Sequence, residues 1–166
     1  MLPSNDFLLS FVDICHNFLP NRKYDTLAVG AVGISPFRTK LVVGINSSTF
    51  TETTLTRDRL IPPVIRNSAV IKALNVELLQ EPYHAEFSIV LYAKEHNLKI
   101  YGLASSRKIC DICSTMLTRY AYLFDDDCTP VDAWSRDGKL LTQKDRESID
   151  SFDSVIIRNS ISVREV

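Results

Sequence analysis

Residues 84–113 read "HAEFSIVLYAKEHNLKIYGLASSRKICDIC", and their pattern decides how the rest of the chain is read. Phe87, Val90, Leu91 and Ala93 keep helical spacing, and Asn97 is a suitable stop, so 83–97 is expected to be a helix. "LKIYGLASS" (98–106) has the composition of a strand. "CDICSTMLTRYAYLF" (110–124) places Ile112, Met116, Leu117, Tyr120 and Leu123 on one helical stripe. The stretch therefore runs helix–strand–helix. One of the chain's three histidines and two of its four cysteines sit at the two helix starts.

Working backward, "LAVGAVGI" (27–34) and "KLVVGIN" (40–46) are short apolar runs separated by "SPFRT". They predict an antiparallel hairpin whose near-continuous apolar character implies cover on both faces. "MLPSNDFLLSFVDICHNFLP" carries Asp6 and Asp13 and no early basic residue, which is not the layout of a signal peptide. It predicts an amphipathic helix capped by Ser4 or Asn5, with Phe7, Leu8, Phe11, Val12, Cys15 and Phe18 on one side. "SSTFTETTLTRDR" (47–59) is expected to be loop, and 61–80 a helix beginning after Pro63. The last third mixes strand and helix signals in an order that the sequence does not fix. The expected fold is α/β: a single domain over 1–166 with an inserted helical segment at about 47–83.

At 166 residues the chain is long enough for a real core, and a 45% hydrophobic fraction argues against disorder. No run is long enough for a membrane span. Four cysteines are too few for a disulfide framework and point to metal or redox chemistry in a reducing compartment. A formal charge of −1 argues against clamping long nucleic acid by backbone electrostatics alone. A local basic rim from Arg57, Arg59, Arg66, Arg107, Lys108 and Arg119 stands as an alternative to scattered solvated charge.

His84 and Glu86 open one helix, and Cys110 and Cys113 open the next. A helix N-terminus favours a thiolate. Cysteines two residues apart can share one tetrahedral ion, and His84 makes a third ligand. Three protein ligands leave one position open, the pattern of a catalytic zinc site. Glu86, two residues past the first ligand, is placed to move a proton from an activated water to a leaving group.

His84-Ala85-Glu86 with Cys110-x-x-Cys113 resembles the zinc-dependent nucleobase deaminase superfamily, whose signature is His-x-Glu followed by Pro-Cys-x-x-Cys. The likeness covers roughly residues 5 to 125, and 23 residues separate Glu86 from Cys110. It implies a cytidine-deaminase-like three-layer α/β/α fold with a mixed five-stranded sheet. It further implies Zn²⁺ on His84, Cys110 and Cys113, with Glu86 as the catalytic proton shuttle. The resemblance also implies that Asn46, Ala85, Ser106 and Tyr83 are candidate substrate-binding positions. Asn46 and Ser106 have plain alternative uses, as a strand-ending turn residue and a loop serine, and Tyr83 would stack on a base. The family's proline before the first cysteine is Ile109 here. That departure, the short chain and the insertion at 47–83 resemble the diverse toxin or effector deaminases of bacteria and small relatives in fungi and intracellular bacteria.

The expected activity is hydrolytic deamination of a nucleobase, foremost cytosine to uracil in single-stranded DNA or RNA. A free nucleotide or nucleobase is the next substrate class. An inactive deaminase fold with structural zinc, serving as a binding module, is the non-enzymatic alternative, and a metal-free thiol redox protein is a third. The expected setting is the cytoplasm, the chain's own or that of a target cell, with no membrane partner and an oligomer allowed. Structural use is the expectation for His16, His96, Cys15 and Trp134. Cys128 is read as either buried or a loose thiol, and the "DDD" run at 125–127 as a solvated loop ahead of a hard-cation site.

Overall fold

The computed structural model describes residues 2–17, 19, 24–46, 76–80 (backbone), 84–132, 143, 147 and 150. Helix α1 spans Asn5–His16. It begins where Ser4, in extended backbone, accepts the Phe7 N–H on its hydroxyl at 3.1 Å. This satisfies one of the free amides of the first turn. Strands β1 (Thr26–Ser35) and β2 (Arg38–Asn46) form the expected antiparallel hairpin, turning at Pro36–Phe37. Strand β3 (Val76–Gln80) follows, then α2 (Ala85–Glu95), β4 (Lys99–Ser105), α3 (Asp111–Arg119), a short 3₁₀ turn at Ala121–Leu123, and β5 (Val131–Asp132).

The strands line up as β3-β2-β1-β4-β5. β1 is antiparallel to both neighbours, while β2–β3 and β4–β5 are parallel. This is a mixed sheet with helices on both faces, as the strand–helix alternation requires. In substance it has four strands. The expected five-stranded sheet is corrected to that extent, because the fifth position holds only a two-residue pairing of Val131 and Asp132 with Ala104 and Ser105. Pro130, just before it, has no N–H to extend the ladder.

A second correction concerns 76–80. Residues 76–80, expected to belong to a helix over 61–80, form β3 instead, paired with β2 from Leu41↔Val76 to Ile45↔Gln80. A five-residue run such as VELLQ is too short for periodicity to separate helix from strand, and pairing along the otherwise open edge of β2 decides it. The rest of the inserted segment, 47–75 and 81–83, lies outside the described residues, as do Phe18, Tyr83, Trp134, Arg57, Arg59 and Arg66.

Alternation along the strands sorts the core into two layers. Leu27, Val29, Leu41, Val43, Ile45 and Ala104 face α1, meeting Leu8, Phe11, Val12 and Cys15. Ala28, Val32, Val42, Ile100 and Leu103 face α2 and α3, meeting Phe87, Ile89, Val90, Ile112 and Met116. Fully burying side chains of this size contributes about 1.5–3 kcal/mol each.

The phase of β4 is set by a bulge. Val32 pairs with Ile100 and Ala31 with Gly102, so Tyr101 is an extra residue with no partner of its own. In a regular strand Ile100, Gly102 and Ala104 would share a face. The bulge instead puts Ile100, Leu103 and Ser105 toward α2 and turns Gly102 toward Leu8.

α2 lies close on the hairpin. A Cβ on Gly44 would collide with the Ala85 carbonyl, and one on Gly30 would meet Ile89. Only glycine lets the first turn of α2 come this near β2. The helix ends at Asn97, whose φ of 54° is the left-handed stop expected of asparagine.

Candidate metal centre

Each candidate donor sits at a helix start. His84 is the N-cap of α2, and its ring stacks on Phe87 at 5.3 Å between centroids. Cys110 is the N-cap of α3, and its sulfur accepts the Cys113 N–H at 3.4 Å. Cys113 stands one turn later, buried. The parallel starts of α2 and α3 therefore bring residues far apart in sequence to one point. His84 Nδ1 is 3.1 Å from Cys113 Sγ and 3.4 Å from Cys110 Sγ. All three donor atoms lie within 4.8 Å of one another.

These residues fit a zinc ion. One imidazole and two thiols are its preferred donor types, and tetrahedral bonds of about 2.0–2.3 Å set donor atoms roughly 3.5 Å apart. The approach through Nδ1 leaves the ring's other nitrogen to carry its proton. Among the described residues no fourth side chain joins the group. Cys128 lies apart from it, half-buried, its thiol pushed up to about 11 by burial and by Asp125. The Asp125–Asp127 run forms a turn, with the Asp127 N–H donating to the Asp125 carboxylate.

The two thiols divide a proton between them. Cys110 is pushed far below an ordinary thiol, first by the hydrogen bond from Cys113 and then by His84 and the Cys113 amide, against its own burial. Cys113 is pushed up because it is the partner that keeps the proton, in a buried place beside Glu86. Hydrogen bonding thus favours the charged form of one thiol over the other, and both must be deprotonated to hold a metal.

Glu86 is buried, and its Oε2 lies 3.4 Å from Cys113 Sγ. Burial raises its pKa, while hydrogen bonds from its own backbone amide, Ser105 and Cys113 oppose the rise. Glu86 thus borders the three-donor cluster while its second neighbour is a hydroxyl from β4.

The remaining expected positions fall as follows. Asn46 ends β2, two residues beyond Gly44 and hence on the same face, the one that meets the start of α2. Ala85 is fully buried over Gly44. Ser106 is buried, and its hydroxyl accepts the Leu27 N–H at 2.9 Å while its own N–H donates to the Leu27 carbonyl. It ties the end of β4 to β1. Arg107 is held by its Nε donating to the Asp25 carbonyl at 3.0 Å. His96 caps α2, with Nδ1 against the Tyr92 carbonyl and its ring stacked on Tyr92 at 4.0 Å. Cys15 is core.

Two residues were not singled out from the sequence. Ser105 reaches Glu86 only because of the bulge at Tyr101, which no local pattern announces. Asp132 accepts the Ile109 N–H on Oδ2 at 3.0 Å, directly before the first cysteine ligand. Its signal is the substitution itself, since a proline at 109 would have no N–H to give.

No family model matches the chain, and no curated protein or solved structure matches it either.

Proposed function

We propose that this chain is a zinc-dependent hydrolytic deaminase with a cytidine-deaminase-like fold, acting on cytosine in single-stranded DNA or RNA. The observation that carries the reading is the convergence of His84 Nδ1, Cys110 Sγ and Cys113 Sγ within 4.8 Å, with the Glu86 carboxylate against Cys113. A His-x-Glu and a Cys-x-x-Cys meeting at paired helix starts is the arrangement that the superfamily signature describes. The order helix, hairpin, helix, strand, helix, with β3 added before α2, and the two helical layers agree with it.

His84, Cys110 and Cys113 would hold the ion, which when bound supplies Lewis acidity at neutral pH. The residues do the rest. Glu86 takes a proton on its carboxylate from the attacking water and delivers it to the departing exocyclic amine, so that cytosine and water become uracil and ammonia. Its burial favours the protonated form needed for the second step. Asn46, on the face shared with the start of α2, is the polar group placed to hold the nucleoside. Arg107 and Lys108, between β4 and Cys110, add positive charge beside the site for a polymer's phosphates.

The test is to load the protein with zinc and incubate it with single-stranded DNA, RNA, dCMP and cytidine. Uracil is expected in the polymers and not with Glu86→Ala. A zinc-loaded chain that turns over none of the four substrates refutes catalysis and leaves a binding module.

A further inference from the structure

Ile109 stands where the deaminase signature has proline, and its N–H is not idle. It donates to Asp132 Oδ2 at 3.0 Å. Ile109 is buried, so an unmet amide there would be costly. Asp132 comes from β5, which pairs in parallel with the end of β4 at Ser105↔Asp132. Two strands thus converge on the segment that delivers Cys110. Ser106 fastens the start of that segment to β1, and Asp132 fastens its end.

A proline before the first cysteine would stiffen this turn covalently, by fixing φ. The present chain lacks the ring and has a charge-assisted hydrogen bond at the same backbone position. Resting on the metal-site reading above, we propose that Asp132 is a positioning residue for Cys110, doing by hydrogen bond what the proline ring does by covalent constraint. It touches neither metal nor substrate. It holds the residue before the N-cap of α3, so that the Cys110 sulfur is already aimed at the point that His84 and Cys113 share.

The prediction is an interdependence. With Ile109 in place, Asp132→Ala lets the turn wander and should weaken zinc binding about tenfold, the low end of what losing a group that orients a metal ligand costs. With Ile109→Pro the amide is gone and φ is fixed, so adding Asp132→Ala should change affinity by less than about twofold, since the hydrogen bond to position 109 has already been removed. Asp132→Asn, which keeps an oxygen acceptor and the side-chain shape, should fall between wild type and alanine.

The experiment measures zinc affinity of the full chain by competition with a chromophoric chelator, for wild type, D132A, D132N, I109P and I109P/D132A. Thermal melting of each metal-free protein reports folding. Should D132A not fold, the cycle is run with D132N. Loss on removing Asp132 in the Ile109 background alone supports the proposal. Equal loss in both backgrounds, or none in either, overturns it while leaving the metal site standing. Wild-type protein that takes up no zinc overturns the site itself and the proposal with it.

Discussion

The two faces of one sheet have been put to opposite uses. Under α1, Leu8, Phe11, Val12 and Cys15 close on Leu27, Val29 and Val43 in a continuous hydrophobic cluster. Under α2 and α3, an equally buried layer admits Glu86, Ser88 and Ser105 and ends at His84, Cys110 and Cys113. The cysteines measure the contrast. Cys15 is pushed up to about 12 by burial alone, while Cys110 is pushed down by hydrogen bonds at a helix start. Burial by itself makes a thiol inert. Burial with donors aimed at it makes a ligand.

The sharpest way to break the contrast is on the polar face. Glu86→Gln should lower uracil formation by about 10³-fold with zinc content unchanged, as metal analysis alongside kinetics would establish. The two thiol classes should separate by alkylation. With the metal chelated at pH 7, Cys110 should react at least ~100-fold faster than Cys15, and zinc should abolish the difference by protecting Cys110. Peptide mapping of the labelled protein checks this, and prompt labelling of Cys15 would contradict the apolar layer. On the α1 face, Leu8→Ala should cost about 2–5 kcal/mol in denaturant melts and leave zinc affinity unchanged.

The smallest effect is one of sign. Glu86 has a raised pKa in the fold, so its contribution to stability is present below its unfolded value and is lost as pH rises through the folded one. In chelated protein at pH 8, Glu86→Gln should therefore melt higher than wild type, by about 1 kcal/mol, a gain of the kind seen when a functional group is traded for stability. A lower melting point would mean that the polar face is held together by that carboxylate.

What the sequence disclosed and what it hid follow from the range of each interaction. The His84, Cys110 and Cys113 cluster was legible because His84–Glu86 and Cys110–Cys113 are short local patterns at helix starts. So were the Ser4 cap, the Asn97 stop and the hairpin. The strand at Val76–Gln80 was not, since its identity comes from pairing with β2 across the sheet. Nor was the choice between two adjacent serines. Ser105 meets Glu86 and Ser106 meets Leu27 because a bulge shifted the phase of β4. Asp132 is legible only as a partner to Ile109, which requires knowing that β5 ends beside that amide.

Tyr101, the surplus residue of β4, gives that strand an unusual tolerance. Its excision would leave the other side chains of β4 pointing as they do now, because Ile100 and Gly102 already pair with adjacent residues of β1. Losing Leu103 instead would slide Gly102 into the layer beneath α2 and Tyr101 into the one beneath α1. A strand with a surplus residue at its bulge can be shortened there without a change of phase.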